Sequence, residues 1–279
     1  MLIFLQQYIM THTKSHRASI DVRNMTRRNR SHCNKTRSNC HPVSTKFSYK
    51  SAIQKFKPET KVRLIYFPEF RARSEAILLM CAYRNVAVEQ LPPDVVLKTE
   101  WPAGRKLTPF SQLPVLILDD GTGLAQSYAI QKYLAKKFKL VSDNHIEEAF
   151  ADQTAQTGEE LGRINPICND LTGAEFKAAV KDFFEGNEDD GPNANTKLAN
   201  LSRSLGSRAF FPGASNEPSF GDFTVLHYFQ QILLVDNKKF NKFPNLKSWI
   251  KRMESLPGVK EYLASRPRFM GVGHAPKLV

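Results

Sequence analysis

The amino-acid sequence predicts an α/β unit followed by an all-helical unit, on three observations. Strand-length apolar runs rich in β-branched or aromatic residues occur at Val62–Tyr66, Ala87–Leu91 and Leu113–Leu118. Helix-favouring apolar stretches alternate with them, at Glu75–Tyr83 and from Ser127 to Phe138. After the break at Ser142–Asn144 no convincing strand follows, and apolar residues recur at helical spacing.

Val62-Arg63-Leu64-Ile65-Tyr66 reads as the first strand, punctuated by Pro68. The helix Glu75–Tyr83 and the alternating run Ala87–Leu91, stopped by Pro92-Pro93, complete a βαβ unit. Residues 94–113 carry Trp101-Pro102 and little periodicity. Leu113–Leu118 then enters an Asp-Asp-Gly-Thr-Gly turn at 119–123, and Leu124-Ala125 restarts as a short strand feeding a helix. Proline cannot donate to a sheet ladder, so Pro114 belongs at a strand start, and a cis bond from Leu113 would turn the Leu113 backbone out to face a ligand. Ser127 is expected to cap the following helix, whose free N–H groups and positive dipole end suit a carboxylate. The expected result is a mixed four-stranded sheet with helices on both faces, over residues 61–140.

The helical unit is expected over residues 145–270. His145–Arg163 reads as a long helix and Ala174–Glu185 as another, with Phe176, Ala179, Val180, Phe183 and Phe184 apolar. An acidic loop, Asn187–Asn193, separates these from a helix marked by Leu198, Leu201 and Leu205. Ser219-Phe220-Gly221-Asp222 before the apolar run Phe223–Leu234 spells a capping box, in which each side chain can bond the other's backbone N–H. Because that run is apolar on nearly every side, it is expected at the centre of the unit. Helices around Leu246–Ser255 and Val259–Ala264 flank Pro257-Gly258.

Of the formal charge of +13, +10 lies in residues 1–60, which hold 12 Lys/Arg against 2 acids. The remainder is nearly neutral, which argues against nucleic-acid binding by the folded part. So polar a tract cannot bury enough surface to offset its ordering entropy, so residues 1–60 read as a disordered basic extension, dispensable for catalysis. As an address the extension resembles a mitochondrial transit peptide, or with Met1–Met10 a poor secretory signal, and otherwise it reads as an unstructured tail or a wrongly assigned start. The pairs His32-Cys33 and Cys40-His41 match no common zinc spacing. Four cysteines make no disulfide framework, so a reducing compartment, the cytoplasm, is expected. No apolar run approaches membrane-spanning length.

Residues 61–279 contain no Gly-rich phosphate loop, GxSxG, HExxH or CxxC. The candidate reactive group is Tyr66, at the C-terminal end of the first strand, where open α/β sheets bind ligands. Taken alone, a tyrosine there is more often placed to pack its ring. Tyr66-Phe67-Pro68, Glu75, Trp101-Pro102, Pro109–Leu116, Gln126–Ile130 and Ser219–Phe223, in that order, resemble the cytosolic glutathione S-transferases, and within them the sigma class, which includes haematopoietic-type prostaglandin D synthases and many helminth and arthropod enzymes. The resemblance covers Lys61 to Arg268 and implies a thioredoxin-like N-terminal domain followed by an all-helical C-terminal domain.

It also implies a homodimer that takes glutathione as cosubstrate and a small hydrophobic electrophile, with no metal. Tyr66 matches the catalytic tyrosine that hydrogen-bonds the glutathione sulfur, and Leu113 the residue whose backbone pairs with the cysteinyl moiety. Gln126 and Ser127 match the pair holding the γ-glutamyl carboxylate, while Trp101, Arg105 and Gln112 match positions at the glycyl end. Read without the family, Trp101 is simple packing and Arg105 a solvated charge. One residue more than usual separates Tyr66 from Glu75, so either Arg71 or Arg73 takes the arginine position beside the sulfur. Gln156 stands where many relatives lend an acidic residue to the partner subunit. The implied reaction is glutathione conjugation, with isomerisation of prostaglandin H2 to D2 as a further specialisation. The alternative is a non-catalytic, S-crystallin-like or glutathione-binding structural relative.

Overall fold

A computed structural model of the chain describes residues 48–49, 62–68, 72–101, 103–171, 173–189, 191–214 and 216–266. The expected basic extension lies outside these residues except for Ser48 and Tyr49, and Arg71 and both His–Cys pairs lie outside them as well.

The sheet has the order β2-β1-β3-β4. β1 (Val62–Ile65) pairs parallel with β2 (Val88–Leu91) across helix α1 (Glu75–Tyr83), as a βαβ unit requires. β3 (Val115–Ile117) runs antiparallel to β1 and forms a hairpin with β4 (Gly123–Ala125). Side chains alternate across the pleat. Val62, Leu64, Tyr66 and Leu116 join the main core, whereas Ile65, Val115, Ile117 and Ala125 form a second, smaller cluster with Val96 and Leu97.

Val96 and Leu97 belong to α2 (Pro93–Leu97), a helix absent from the sequence reading. Pro92-Pro93 ends β2 as expected, but Pro93 also opens a helix, where its fixed φ is pre-set and its missing N–H costs nothing. Five residues are too few to show a period. Two further turns of 3₁₀ helix, Ala103–Leu107 and Pro109–Ser111, fill the stretch that lacked periodicity.

Helix α3 (Ser127–Lys137) corrects the expected cap: Gln126 occupies the N-cap, with φ of 73°, and Ser127 is the first helical residue. The chain leaves β4 and turns into the helix at Gln126, so the left-handed residue falls one position earlier than the serine.

The helical unit begins with α4 (His145–Glu159), whose N-cap Asn144 accepts from the amides of Ile146 at 2.9 Å and Glu147 at 3.3 Å. The expected single helix to Arg163 tightens into a 3₁₀ turn at Glu160–Arg163 and continues as α5 (Ile164–Asp170). There follow α6 (Gly173–Glu185), α7 (Ala194–Leu205), α8 (Phe220–Val235), α9 (Pro244–Glu254) and α10 (Val259–Ser265).

α8 is the central helix, buried from Phe220 through Phe229 and packed mainly on α4, with α1 and α5 beside it. The α4 contact is close: a Cβ on Gly221 would stand 2.8 Å from the Ala151 carbonyl oxygen. The expected capping box is present at the start of α8. The Asp222 carboxylate accepts the Ser219 N–H at 2.9 Å, and the Ser219 hydroxyl also donates to that same carboxylate at 3.0 Å. Asp222 is wholly buried, so each added donor lowers the cost of its charge. It also accepts from Phe211 N–H at 2.9 Å and Trp249 Nε1 at 3.1 Å.

The last helix returns to the N-terminal unit. Buried Glu75 on α1 accepts from the Tyr262 hydroxyl at 2.9 Å and pairs with Arg266. The architecture is a thioredoxin-like domain followed by an all-helical domain. No helix among the described residues is long and apolar enough to cross a membrane.

Candidate active site

Two antiparallel registers assemble the candidate residues. Ile65 lies opposite Val115, which sets Tyr66 beside Pro114, and Val115 lies opposite Ala125, which sets Gln126 beside the same proline. The Leu113–Pro114 bond is cis. Tyr66, Leu113, Gln126 and Ser127 therefore meet at one end of the sheet, at the N-terminus of α3.

Tyr66 is buried and its amide donates to Leu91 O at 3.1 Å, so the backbone is fixed by β2. Its hydroxyl accepts the backbone N–H of Arg73 at 3.2 Å. The Arg73 guanidinium reaches Glu159 Oε2 at 3.2 Å, across to the end of α4. Of the two arginines proposed for this loop, Arg73 is thus placed next to Tyr66, while Arg71 lies outside the described residues.

A chain of ring contacts leads from Tyr66 along the wall of the site. The Tyr66 and Phe67 rings pack edge-on at 6.0 Å, Phe67 and Trp101 at 6.2 Å, and the Arg105 guanidinium lies 5.7 Å from the Trp101 ring centre. Trp101 and Arg105 are half-buried and joined by this cation–π contact. Gln126 Nε2 donates to Gln112 Oε1 at 3.0 Å. Gln126, exposed, and the consecutive pair Phe110 and Ser111 have positive φ, conformations that non-glycine residues hold only where the surroundings enforce them.

Gln156 sits on the exposed side of α4 with its side chain at the Tyr128 hydroxyl. Asp152, one turn earlier, accepts from Tyr128 at 2.7 Å and pairs with Lys132 at 2.6 Å. Burial, with the hydrogen bond and charge of Asp152, pushes the Tyr128 hydroxyl well above its ordinary value.

A site of this make, with amide-rich turns, a helix N-terminus and a guanidinium but no metal cluster, suits a peptide-like acid; among the described residues no group of His, Cys, Asp and Glu could hold a metal. Residues 63–136 match the model of the glutathione S-transferase N-terminal domain, and residues 191–266 that of the C-terminal domain. A probable glutathione S-transferase 6 of Caenorhabditis elegans is 31% identical, over 74% of this chain and 97% of its own. This chain belongs to the glutathione S-transferase family. The human hematopoietic prostaglandin D synthase is 27% identical, over 74% of this chain and 96% of its own. Solved structures share the fold: rat hPGDS complexed with a quinoline (24% identity, TM-score 0.62, 74% of this chain and 98% of that one) and NaGST-2 (23% identity, TM-score 0.63, 74% and 97%).

The protein is a glutathione transferase, and glutathione is its cosubstrate. Around this transferase's site, the residue that sequence reasoning missed is Glu159. Besides Arg73, it accepts from the Tyr228 hydroxyl at 2.8 Å and from Gln131 Nε2 at 3.4 Å. Burial, then the Glu159 charge, raises the Tyr228 hydroxyl far above its ordinary value. Nothing local marked Glu159, because its partners come from three separate stretches of chain. The two described cysteines stand apart from the chemistry: burial pushes the thiols of Cys81 and Cys168 each up to about 12, which keeps them protonated and inert.

Proposed function

We propose that this transferase is sigma-like and activates the glutathione thiol through Tyr66. The observation that carries the reading is the Arg73 N–H donated to the Tyr66 hydroxyl at 3.2 Å. A phenol oxygen that accepts a hydrogen bond becomes a better donor through its own O–H. Aimed at sulfur, that O–H favours the anion over the thiol, whose ordinary pKa is ~8.5. Bound glutathione supplies the thiolate nucleophile; the protein's part is to orient it and to stabilise its charge.

Each end of the tripeptide has a fitting group. Ser127 and Gln126 present a helix N-terminus to the γ-glutamyl carboxylate, and the Leu113 backbone pairs with the cysteinyl unit. Arg105, with Trp101 and Gln112, takes the glycyl carboxylate, which a guanidinium can bind through two parallel bonds. Tyr128 and Gln156 on the α3 and α4 side belong to a homodimer face. The exposed apolar side chains Ile146 and Phe150 on α4 support an interface there, and the exposed Phe110 ring offers further apolar surface. Prostaglandin H2 to D2 isomerisation is a further reaction we assign, on the likeness to the prostaglandin D synthases. Two buried free thiols support a reducing compartment, the cytoplasm.

Retention on a glutathione matrix followed by conjugation of an aryl halide tests the reading. Retention without turnover would favour a structural, S-crystallin-like relative, and no retention would dismiss the site.

A further inference from the structure

Tyr49 precedes the first residue matched by the family's N-terminal domain, yet it is part of the sheet's second core. Ser48 forms an antiparallel bridge with Thr122, and the Tyr49 amide donates to Gly121 O at 2.8 Å, so these two residues lie along the outer edge of the β3–β4 hairpin. The Tyr49 ring is 8% exposed and packs with Val115, Ile117 and Ala125. It occupies the space above Gly123, where a Cβ would come within 2.6 Å of the ring. Its hydroxyl crosses to donate to Leu107 O at 3.0 Å. Burial pushes that hydroxyl up to about 12, so it keeps its proton and remains a donor throughout the neutral range.

Leu107 ends the turn Ala103–Leu107 that carries Arg105. The next residue, Thr108, binds the Arg105 carbonyl twice, through its amide at 3.0 Å and its hydroxyl at 2.8 Å. The chain continues through the two positive-φ residues Phe110 and Ser111 to Gln112 and Leu113. Tyr49 therefore ties one wall of the site to the sheet edge. Among the described residues of the basic segment, Tyr49 docks through its ring, which no hydrophobic period could reveal.

We infer that Tyr49 is a positioning residue for glutathione: it holds the 103–113 wall against the hairpin and so sets the reach of Arg105 toward the glycyl carboxylate. The inference rests on the reading of Arg105 given above. Its effect falls on glutathione affinity and leaves the sulfur chemistry at Tyr66 alone.

The test uses the full chain with Tyr49→Phe, Tyr49→Ala and Gly123→Ala, and reads steady-state kinetics together with amide hydrogen exchange. Losing one hydrogen bond in Tyr49→Phe should raise KM for glutathione about fivefold, with kcat nearly unchanged. Tyr49→Ala should raise it further and speed exchange at the Thr108 and Ser111 amides. Gly123→Ala should displace the ring and act likewise, and combined with Tyr49→Ala it should add little. A chain beginning at Pro58 should match Tyr49→Ala, with turnover retained only at saturating glutathione. A fall in melting temperature with KM unchanged would make Tyr49 a brace of the sheet edge and overturn the inference, as would unchanged exchange across residues 103–113. If the wild-type chain failed to bind glutathione, the reading of the site would fall, and the exchange at Thr108 and Ser111 would decide on its own whether Tyr49 holds the wall.

Discussion

Arg73 meets Tyr66 through its backbone, donating its N–H to the phenol oxygen at 3.2 Å, while its guanidinium turns away to Glu159. Backbone and side chain thus have separable parts. Arg73→Ala preserves the N–H and deletes a pair whose arginine is more than half exposed, so stability should change by less than ~1 kcal/mol. The pKa of the bound glutathione thiol should rise by less than it does in Tyr66→Phe. An equal rise in the two variants, read from ultraviolet titration, would give the arginine the leading part.

Gln126→Ala and Arg105→Ala should each strand one charged end of glutathione. Such contacts hold the ground and transition states alike, so KM for glutathione should rise with a smaller change at saturation. Initial rates at varied glutathione and fixed electrophile check this. A change confined to the KM of the electrophile would put both residues in the wrong pocket.

Asp222→Ala should damage folding and spare chemistry, because it strands donors from Phe211, Ser219 and Trp249 inside the core. A loss of roughly 3–5 kcal/mol is expected, more than a missing cap alone, with glutathione affinity kept in the protein that folds. Burial pushes the Asp222 carboxyl up to about 6 from 3.8, against the pull of its hydrogen bonds. A group raised on folding contributes stability that is fully present below the unfolded value and is lost as pH rises through the folded one. The advantage of the wild type over Asp222→Asn should therefore narrow from pH 4 to 7, measured by urea titration. A widening advantage would contradict the assignment.

Phe110→Asp should weaken the proposed homodimer. Phe110 is 75% exposed on a turn held at positive φ, an arrangement that costs energy in a lone chain and that a partner covering the ring would offset. Light scattering should show a halved mass with the far-ultraviolet spectrum intact. A wild-type chain that is monomeric at micromolar concentration would remove the interface.

Much of this was legible along the chain because the deciding signals are local. β1, α1, the hairpin and α8 announce themselves by their apolar runs and turn residues, and Pro114 by what proline requires, while the helix start was read one residue late, at Ser127 in place of Gln126. What was not legible depends on side chains meeting across the fold. α2 is too short to carry a period, and its opening Pro93 reads equally as a stop. Glu159 gains its meaning from Arg73, Gln131 and Tyr228, none of them near it in sequence. Tyr49 lay in a tract whose composition speaks for disorder, and one ring over one glycine overrode that average.

The central claim is that the Tyr66 hydroxyl stabilises the glutathione thiolate, and the ultraviolet absorbance of bound thiolate against pH, in wild type and Tyr66→Phe, tests it directly. The substitution removes one oxygen and keeps the ring that packing on Phe67 needs. A hydrogen bond to a charged group contributes roughly 1.5–3 kcal/mol, so the bound thiol pKa should rise by about one to two units and neutral-pH turnover should fall by about one to two orders of magnitude. Glutathione affinity should barely move. A Tyr66→Phe enzyme with the thiolate titration and turnover of the wild type would take Tyr66 out of the mechanism.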